Sequence, residues 1–278
     1  MPTTMPGSGH PIPKLILGAA LGIAALLSVG WMLDRRQAPA MSGSGTQGTF
    51  EPRIVEGSFS IATYNIRRGK GMDERRDVSR NAGDVEPFDV VWLNEVGGRS
   101  ADFENQAHQI AELNRAGWVF APREMSRGRM VLGNAFVSRL AIGHWSSHPM
   151  RKTKPDGYRN FVLASFEVGG RVVRVIGVHT DGSEDRDEQV RIACELFRSI
   201  EPPVILLGDF NTRRDHPLVA QLLDDPQIVE PMRALNHPAP ENRIDWIFAR
   251  GLRAHEAGMI DNRHSDHPVY WARFEFIE

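Results

Sequence analysis

Val204-Ile205-Leu206-Leu207-Gly208-Asp209-Phe210-Asn211-Thr212 carries the decisive reading: a short apolar run, a glycine, and then polar groups where the run stops. Such a run, rich in branched residues and bounded by turn formers, reads as a strand. An Asp and an Asn at its end can project from a rigid scaffold into a cleft. The arrangement recurs along the chain. Asn65 ends Ser60-Ile61-Ala62-Thr63-Tyr64, Glu95 ends Asp89-Val90-Val91-Trp92-Leu93-Asn94, and His179 ends Val173-Arg174-Val175-Ile176-Gly177-Val178. Asp245 follows Arg243-Ile244 at the start of a strand, and Ser265-Asp266-His267 stands just before the last one.

Outward from these runs, strands are expected at 59–64, 89–93, 134–137, 161–168, 172–178, 204–207, 244–248 and 269–276. Gly169-Gly170 joins two of them and tolerates the positive φ angles of a tight turn, which predicts an antiparallel hairpin. Helical spacing appears at 102–114, 187–200 and 217–224. The sum is a mixed α/β domain without internal repeats. At 278 residues and 41% apolar content the chain can build a large core, and its net charge of −2 does not force the basic face of a dedicated nucleic-acid binder. Cys194 is the only cysteine, so an intramolecular disulfide and a cysteine-rich zinc site are both excluded. Its helical apolar surroundings make it a core thiol.

Residues 1–14 form an N-terminal tail, and 15–33 are uncharged and apolar, about the length that crosses a hydrocarbon core of roughly 30 Å. A transmembrane helix and a cleaved signal segment both fit. Ala38-Pro39-Ala40 has the small-x-small form of a cleavage site, while Arg35 and Arg36 count against cleavage. Residues 34–55, with the Gly/Ser-rich stretch 41–49, read as a flexible linker, and 56–278 as the globular domain. The expected placement is membrane-anchored or secreted, with the domain on the extracytoplasmic side.

Singly, each strand-end residue has a plain explanation in turn or capping hydrogen bonds. Jointly, four carboxylates, two amides and two histidines at strand termini suit hard-cation phosphate chemistry. Mg²⁺ takes oxygen ligands and keeps several waters, so one or two carboxylates and a substrate oxygen suffice, with Glu95 the first candidate.

Thr63-Tyr64-Asn65-Ile66, Trp92-Leu93-Asn94-Glu95-Val96, Gly133-Asn134-Ala135-Phe136-Val137-Ser138-Arg139, Gly177-Val178-His179-Thr180, Leu207-Gly208-Asp209-Phe210-Asn211-Thr212, Arg243-Ile244-Asp245-Trp246-Ile247-Phe248 and Ser265-Asp266-His267-Pro268 occur in an order that resembles the endonuclease/exonuclease/phosphatase superfamily. The resemblance implies a four-layer α/β sandwich, two mixed β-sheets packed face to face with helices outside. It implies metal-dependent hydrolysis of a phosphodiester or phosphomonoester by an activated water, with Mg²⁺ or Mn²⁺ as cofactor and a nucleic acid, phospholipid or inositol phosphate as substrate. On it, Glu95 binds the metal with Asn65 and Asp266, while Asp209 orients or deprotonates the water and Asn211 fixes the geometry. His179 and His267 contact the phosphate, Asp245 pairs with His267, and Asn65 also faces the phosphate. Arg159 lies just before a strand where relatives often place a phosphate-facing Arg or Tyr; a solvated loop arginine is its other reading. Asn94 stands where many relatives have Gln.

His144 and His148 are four apart, as helical metal ligands could be, but Gly143 and Pro149 flank them and no third ligand is evident. Arg123, Arg127 and Arg129 read as a solvated loop rather than as a nucleic-acid or headgroup patch. A catalytically silent membrane-tethered binding module on the same fold is the alternative function, and no protein partner is inferred.

Overall fold

The computed structural model describes residues 35–98, 105–126, 129–154 and 157–277. In chain order its strands are β1 (Arg36–Gln37), β2 (Met41–Ser44), β3 (Ser58–Asn65), β4 (Val90–Gly97), β5 (Gly117–Ser126), β6 (Arg129–Ser138), β7 (Ile142–Pro149), β8 (Asn160–Val168), β9 (Arg171–His179), β10 (Val204–Asp209), β11 (Asp245–Arg250), β12 (Leu252–Ile260) and β13 (Val269–Phe276). The helices are α1 (Val78–Val85), α2 (Gln106–Asn114), α3 (Arg186–Ser199), α4 (Pro217–Asp224) and α5 (Pro231–Ala234). One sheet runs β1-β5-β6-β4-β3-β13-β12 and the other β11-β10-β9-β8-β7-β2. Each is antiparallel except for one central parallel pair, β3 with β4 and β9 with β10. Parallel neighbours need a crossover, supplied by α1 in the first case and α3 in the second.

Alternation along the strands makes the layers. Phe59, Ile61, Trp92 and Phe136 from one sheet meet Val162, Phe166, Val175, Ile205 and Leu207 from the other in the central core. The opposite faces bury Leu93, Phe120 and Val137 against Val85 and Ile110 of α1 and α2, and Ile176, Leu206 and Phe248 against Val190, Phe197 and Leu222 of α3 and α4. Two mixed sheets flanked by helices therefore stand as the sequence led one to expect. Each large apolar side chain so buried contributes roughly 1.5–3 kcal/mol. Trp92 does more: its Nε1 donates to Val178 O at 3.0 Å, tying β4 to β9 across the central core.

The Gly169-Gly170 hairpin is present, with φ of 55° and 72° and Val168 opposite Arg171. The linker reading of 34–55 is corrected. β1 pairs with β5 in one sheet and β2 with β7 in the other, so this stretch is paired into both. Composition misled because Gly43 serves packing: a Cβ there would stand 2.9 Å from the Trp145 ring. His144 and His148 lie on strand β7, where a separation of four residues spans roughly 13 Å and precludes a shared ion. The apolar segment 15–33 lies outside the described residues, and none of the described helices is long and apolar enough to cross a membrane.

Gly208 shows how tightly the parallel pair is drawn. It has φ of +141°, and a Cβ there would meet Val178 O at 1.9 Å. Gly208→Ala is expected to cost about 3 kcal/mol through backbone strain and steric conflict. Chemical denaturation checks this; a loss below about 1 kcal/mol would mean that the strands can separate at no great cost.

Candidate active site

The register of β9, β10 and β11 places His179 beside Asp209 and Asp209 beside Asp245 on one rung of the sheet. Directly opposed residues project to the same face. All three side chains are buried. Asp209 Oδ2 accepts from Asn65 Nδ2 at 3.1 Å, the end of β3 in the other sheet, and Oδ1 accepts from the backbone N–H of Asn211 at 2.9 Å. Asn211 has φ of +48° and its Nδ2 donates to Thr180 O at 3.0 Å, which fixes the turn after β10. His179 Nε2 stands 3.6 Å from Asp209 Oδ2 and His267 Nε2 stands 3.9 Å from the same oxygen. His267 Nδ1 meets Asp245 Oδ2 at 2.7 Å. Ser265 Oγ donates to Asn65 O at 2.6 Å and so pins the loop that carries His267 to the end of β3.

Charge follows from this crowding. Burial and the adjacent Asp245 push the Asp209 carboxyl up to about 7, against His267 and the hydrogen bonds from Asn211 and Asn65. Burial disfavours a charged His267, but Asp245, by charge and hydrogen bond, and then Asp209 and Asp266, outweigh it and raise the imidazole to about 10. His179 goes the other way: burial, then Arg159, Arg123 and His267, hold it well below 6.5, so its ring is neutral at pH 7. The site therefore presents one imidazolium, one neutral imidazole and a carboxyl poised near neutrality. That set can take a proton at one point and give hydrogen bonds at two others.

Glu95 sits where the pairing of β4 with β6 loses register between Leu93 and Val96, with φ of +56°. The irregularity breaks the regular alternation of the strand at Glu95. Asn65 and Asp266, expected to assist it, are both engaged by Arg67, whose N–H donates to Asn65 Oδ1 at 3.1 Å and whose Nε lies 3.3 Å from Asp266 Oδ2. The group that brings three potential ligand atoms within 4.8 Å of one another among the described residues is instead Asp209, Asp245 and His267. There His267 is held as a cation, which suits proton transfer better than ligation.

Arg159 is partly buried, its Nε donating to Thr180 O at 3.0 Å and its Nη2 lying 3.5 Å from Asp181 Oδ1. It is a positioned residue rather than a solvated loop arginine. Arg123 was missed. It lies in β5, not in a solvated loop, and its Nε and Nη1 are shielded from solvent without a hydrogen-bond partner among the described residues. The apolar run Trp118-Val119-Phe120-Ala121 was the signal for that strand. Arg127 lies outside the described residues.

A family model described as the endonuclease/exonuclease/phosphatase family matches residues 62–267. Among solved structures the chain is similar to an endonuclease/exonuclease/phosphatase from Beutenbergia cavernae, with TM-score 0.64 and 22% identity over 80% of this chain and 72% of that one. It is similar to the human Nocturnin catalytic domain, solved with a bound sulfate anion, with TM-score 0.59 and 15% identity over 83% and 97% of the two chains. Likeness to TDP2 from Caenorhabditis elegans has TM-score 0.60 and 16% identity over 78% and 74%. At these identities the likeness is one of fold. A search among curated proteins gives no significant match.

The proton inventory makes stability depend on pH in a stated direction. His267 keeps its proton to about 10 against 6.5 when unfolded, so the stability it adds is complete below pH 6.5 and is lost as pH rises through 10. Asp209 keeps its proton to about 7 against 3.8, and this also favours the folded state less as pH rises between those values. The melting temperature of the wild type should fall from pH 6.5 to about 10, and His267→Asn should flatten that limb. An unchanged slope in the variant would contradict the assignment.

Proposed function

Since the chain belongs to the endonuclease/exonuclease/phosphatase family, we propose that it hydrolyses a phosphodiester or phosphomonoester by in-line attack of water, with a divalent cation, Mg²⁺ or Mn²⁺, as cofactor. The observation that carries this reading is Asp209 Oδ2, which Asn65 holds at 3.1 Å while His179 and His267 stand 3.6 and 3.9 Å away. Asp209 takes the proton of the attacking water, and Asn65 and Asn211 keep its carboxylate aimed. A base with a pKa near the working pH is effective in that role. His267, held charged by Asp245, gives a hydrogen bond to the oxygen on which negative charge develops, and His179 donates to a non-bridging oxygen as a neutral ring.

Glu95 is the residue proposed to hold the cation. Its carboxylate is a hard oxygen donor, of the kind Mg²⁺ takes, at the break in the pairing of β4 with β6. Asn65 and Asp266 would be its companions in holding the ion, in place of their contacts with Arg67. A divalent ion bound there supplies Lewis acidity toward a phosphoryl oxygen. Arg159 is proposed to face the phosphate. The substrate is a nucleic acid, a phospholipid or an inositol phosphate, and the uncharged run 15–33 supports a membrane-anchored or exported placement.

Asp209→Asn should lower kcat by about 10²- to 10⁴-fold with the fold retained, as expected for loss of a general base. Chelation should silence the wild type, with Mg²⁺ or Mn²⁺ restoring it, and Glu95→Gln should raise the cation concentration required. Both are checked by release of nitrophenol from nitrophenyl phosphate esters, alongside plasmid DNA, RNA, sphingomyelin and inositol phosphates. Activity that survives exhaustive chelation would sink the cation's part. Silence on every substrate by a folded protein would return the reading to a silent binding module.

A further inference from the structure

Arg123 is the extra residue of a bulge. β5 and β6 pair Pro122 with Gly133 and Glu124 with Leu132, leaving Arg123 without an opposite number. Bulges of this kind re-aim a side chain. Neighbouring backbone ties Arg123 closely to Arg159. The N–H of Ala38 donates to Arg123 O at 3.1 Å, while the preceding residue, Gln37, donates its Nε2 to Arg159 O at 3.2 Å. Asn160 Nδ2, next to Arg159, donates to Pro122 O at 3.1 Å, next to Arg123. Two arginines are thus held near one another, Arg123 in β5 of one sheet and Arg159 just before β8 of the other.

Their charges are not equally met. Arg159 has Thr180 O, Tyr158 O and Asp181 as partners. Arg123 has its Nε and Nη1 out of solvent and without a hydrogen-bond partner among the described residues. Burial and then Arg159 pull its pKa down to about 9, which still leaves it cationic at pH 7, with Glu124 and Glu95 partly compensating. A desolvated guanidinium with idle donors beside a second cation is costly. Guanidinium donors match phosphate oxygens in a planar fork. Arg159 Nε donates to the carbonyl of Thr180, the residue after His179, and Asn160 ties Arg159 to the Arg123 bulge, so the pair adjoins the strand end that carries His179; both arginines also disfavour a charged His179.

We propose that Arg123 and Arg159 form a two-guanidinium clamp for the substrate's phosphoryl oxygens beside His179, and that the clamp selects a terminal phosphomonoester over an internal diester. This rests on the phosphoester reading of the site. A terminal monoester offers three non-bridging oxygens and a charge near −2, a diester two oxygens and −1. Two arginines and a histidine donor match the former.

The test uses the full chain with Mg²⁺, p-nitrophenyl phosphate and bis-p-nitrophenyl phosphate as a matched pair, and inorganic phosphate as a binding probe followed by melting temperature. Arg123→Met should lower kcat/KM for the monoester about 10- to 100-fold more than for the diester, the worth of a hydrogen bond to a charged group. Phosphate should raise the melting temperature of the wild type and not of Arg123→Met. Without phosphate, the variant should melt no lower than the wild type, since it loses an unpaired buried charge. Arg123→Lys, which keeps the charge and loses the fork, should fall between them. Equal losses on both esters, a wild type that phosphate does not protect, or an Arg123→Met protein that phosphate still protects would each overturn the clamp. A wild type silent on both esters but protected by phosphate, with protection lost in Arg123→Met, would uphold the clamp and remove the hydrolytic reading.

Discussion

One rung of one sheet governs the site. Parallel pairing of β9 with β10 and antiparallel pairing of β10 with β11 align His179, Asp209 and Asp245 on a single face. Two carboxylates side by side and out of water cannot both be charged at low cost, so one must be neutralised or paired. His267 answers this by ion-pairing with Asp245 at 2.7 Å, which leaves Asp209 as the carboxyl with a raised pKa. The assignment of base and cation follows from the pairing register. A slip of one residue in β10 would turn Asp209 to the other face and dissolve the arrangement.

The rung would mean little if the two sheets could slide. Trp92 and Asn94 of β4 both donate to Val178 O, and a chain of buried amides runs from Asn94 to Asn134 at 3.2 Å and from Asn134 to Asn160 at 2.8 Å. Buried polar networks of this kind fix one arrangement because each unpaired member would be costly. A second network does the same for the loop bearing His267. Asp84 of α1 receives Tyr64, Asn262 and His264, and Asn81 donates to Tyr64 and to His264 O. The loop is thereby tied to β3 and to α1, the crossover helix of the first parallel pair.

Much of this was legible because the chemistry sits where strands stop. Asn65, His179, Asp209 and Asp245 each adjoin an apolar run that names its own strand, and the double glycine named its hairpin. The rest depends on contacts that local sequence does not encode. β12 is an edge strand whose Arg253, His255 and Glu256 face water, so it lacks an apolar run. α1 was passed over because its buried face includes Asn81 and Asp84, which are polar for the sake of their partners. Residues 36–50 have the composition of a tether, and the Trp145 ring against Gly43 contributes to placing them in the sheets. Arg123 looked solvated because its burial is created by a bulge and a neighbouring sheet. Asp266 matched a motif, yet in the structure it pairs with Arg67 at the surface.

The central claim is that water, directed by Asp209, attacks phosphorus. It is tested most directly by letting the full-length protein hydrolyse bis-p-nitrophenyl phosphate with Mg²⁺ in ¹⁸O-labelled water and reading the product by ³¹P NMR. The account predicts one labelled oxygen on phosphorus for each ester bond the wild type breaks, and product formed about 10²- to 10⁴-fold more slowly by Asp209→Asn. Unlabelled phosphorus, or equal product from the variant, would contradict it.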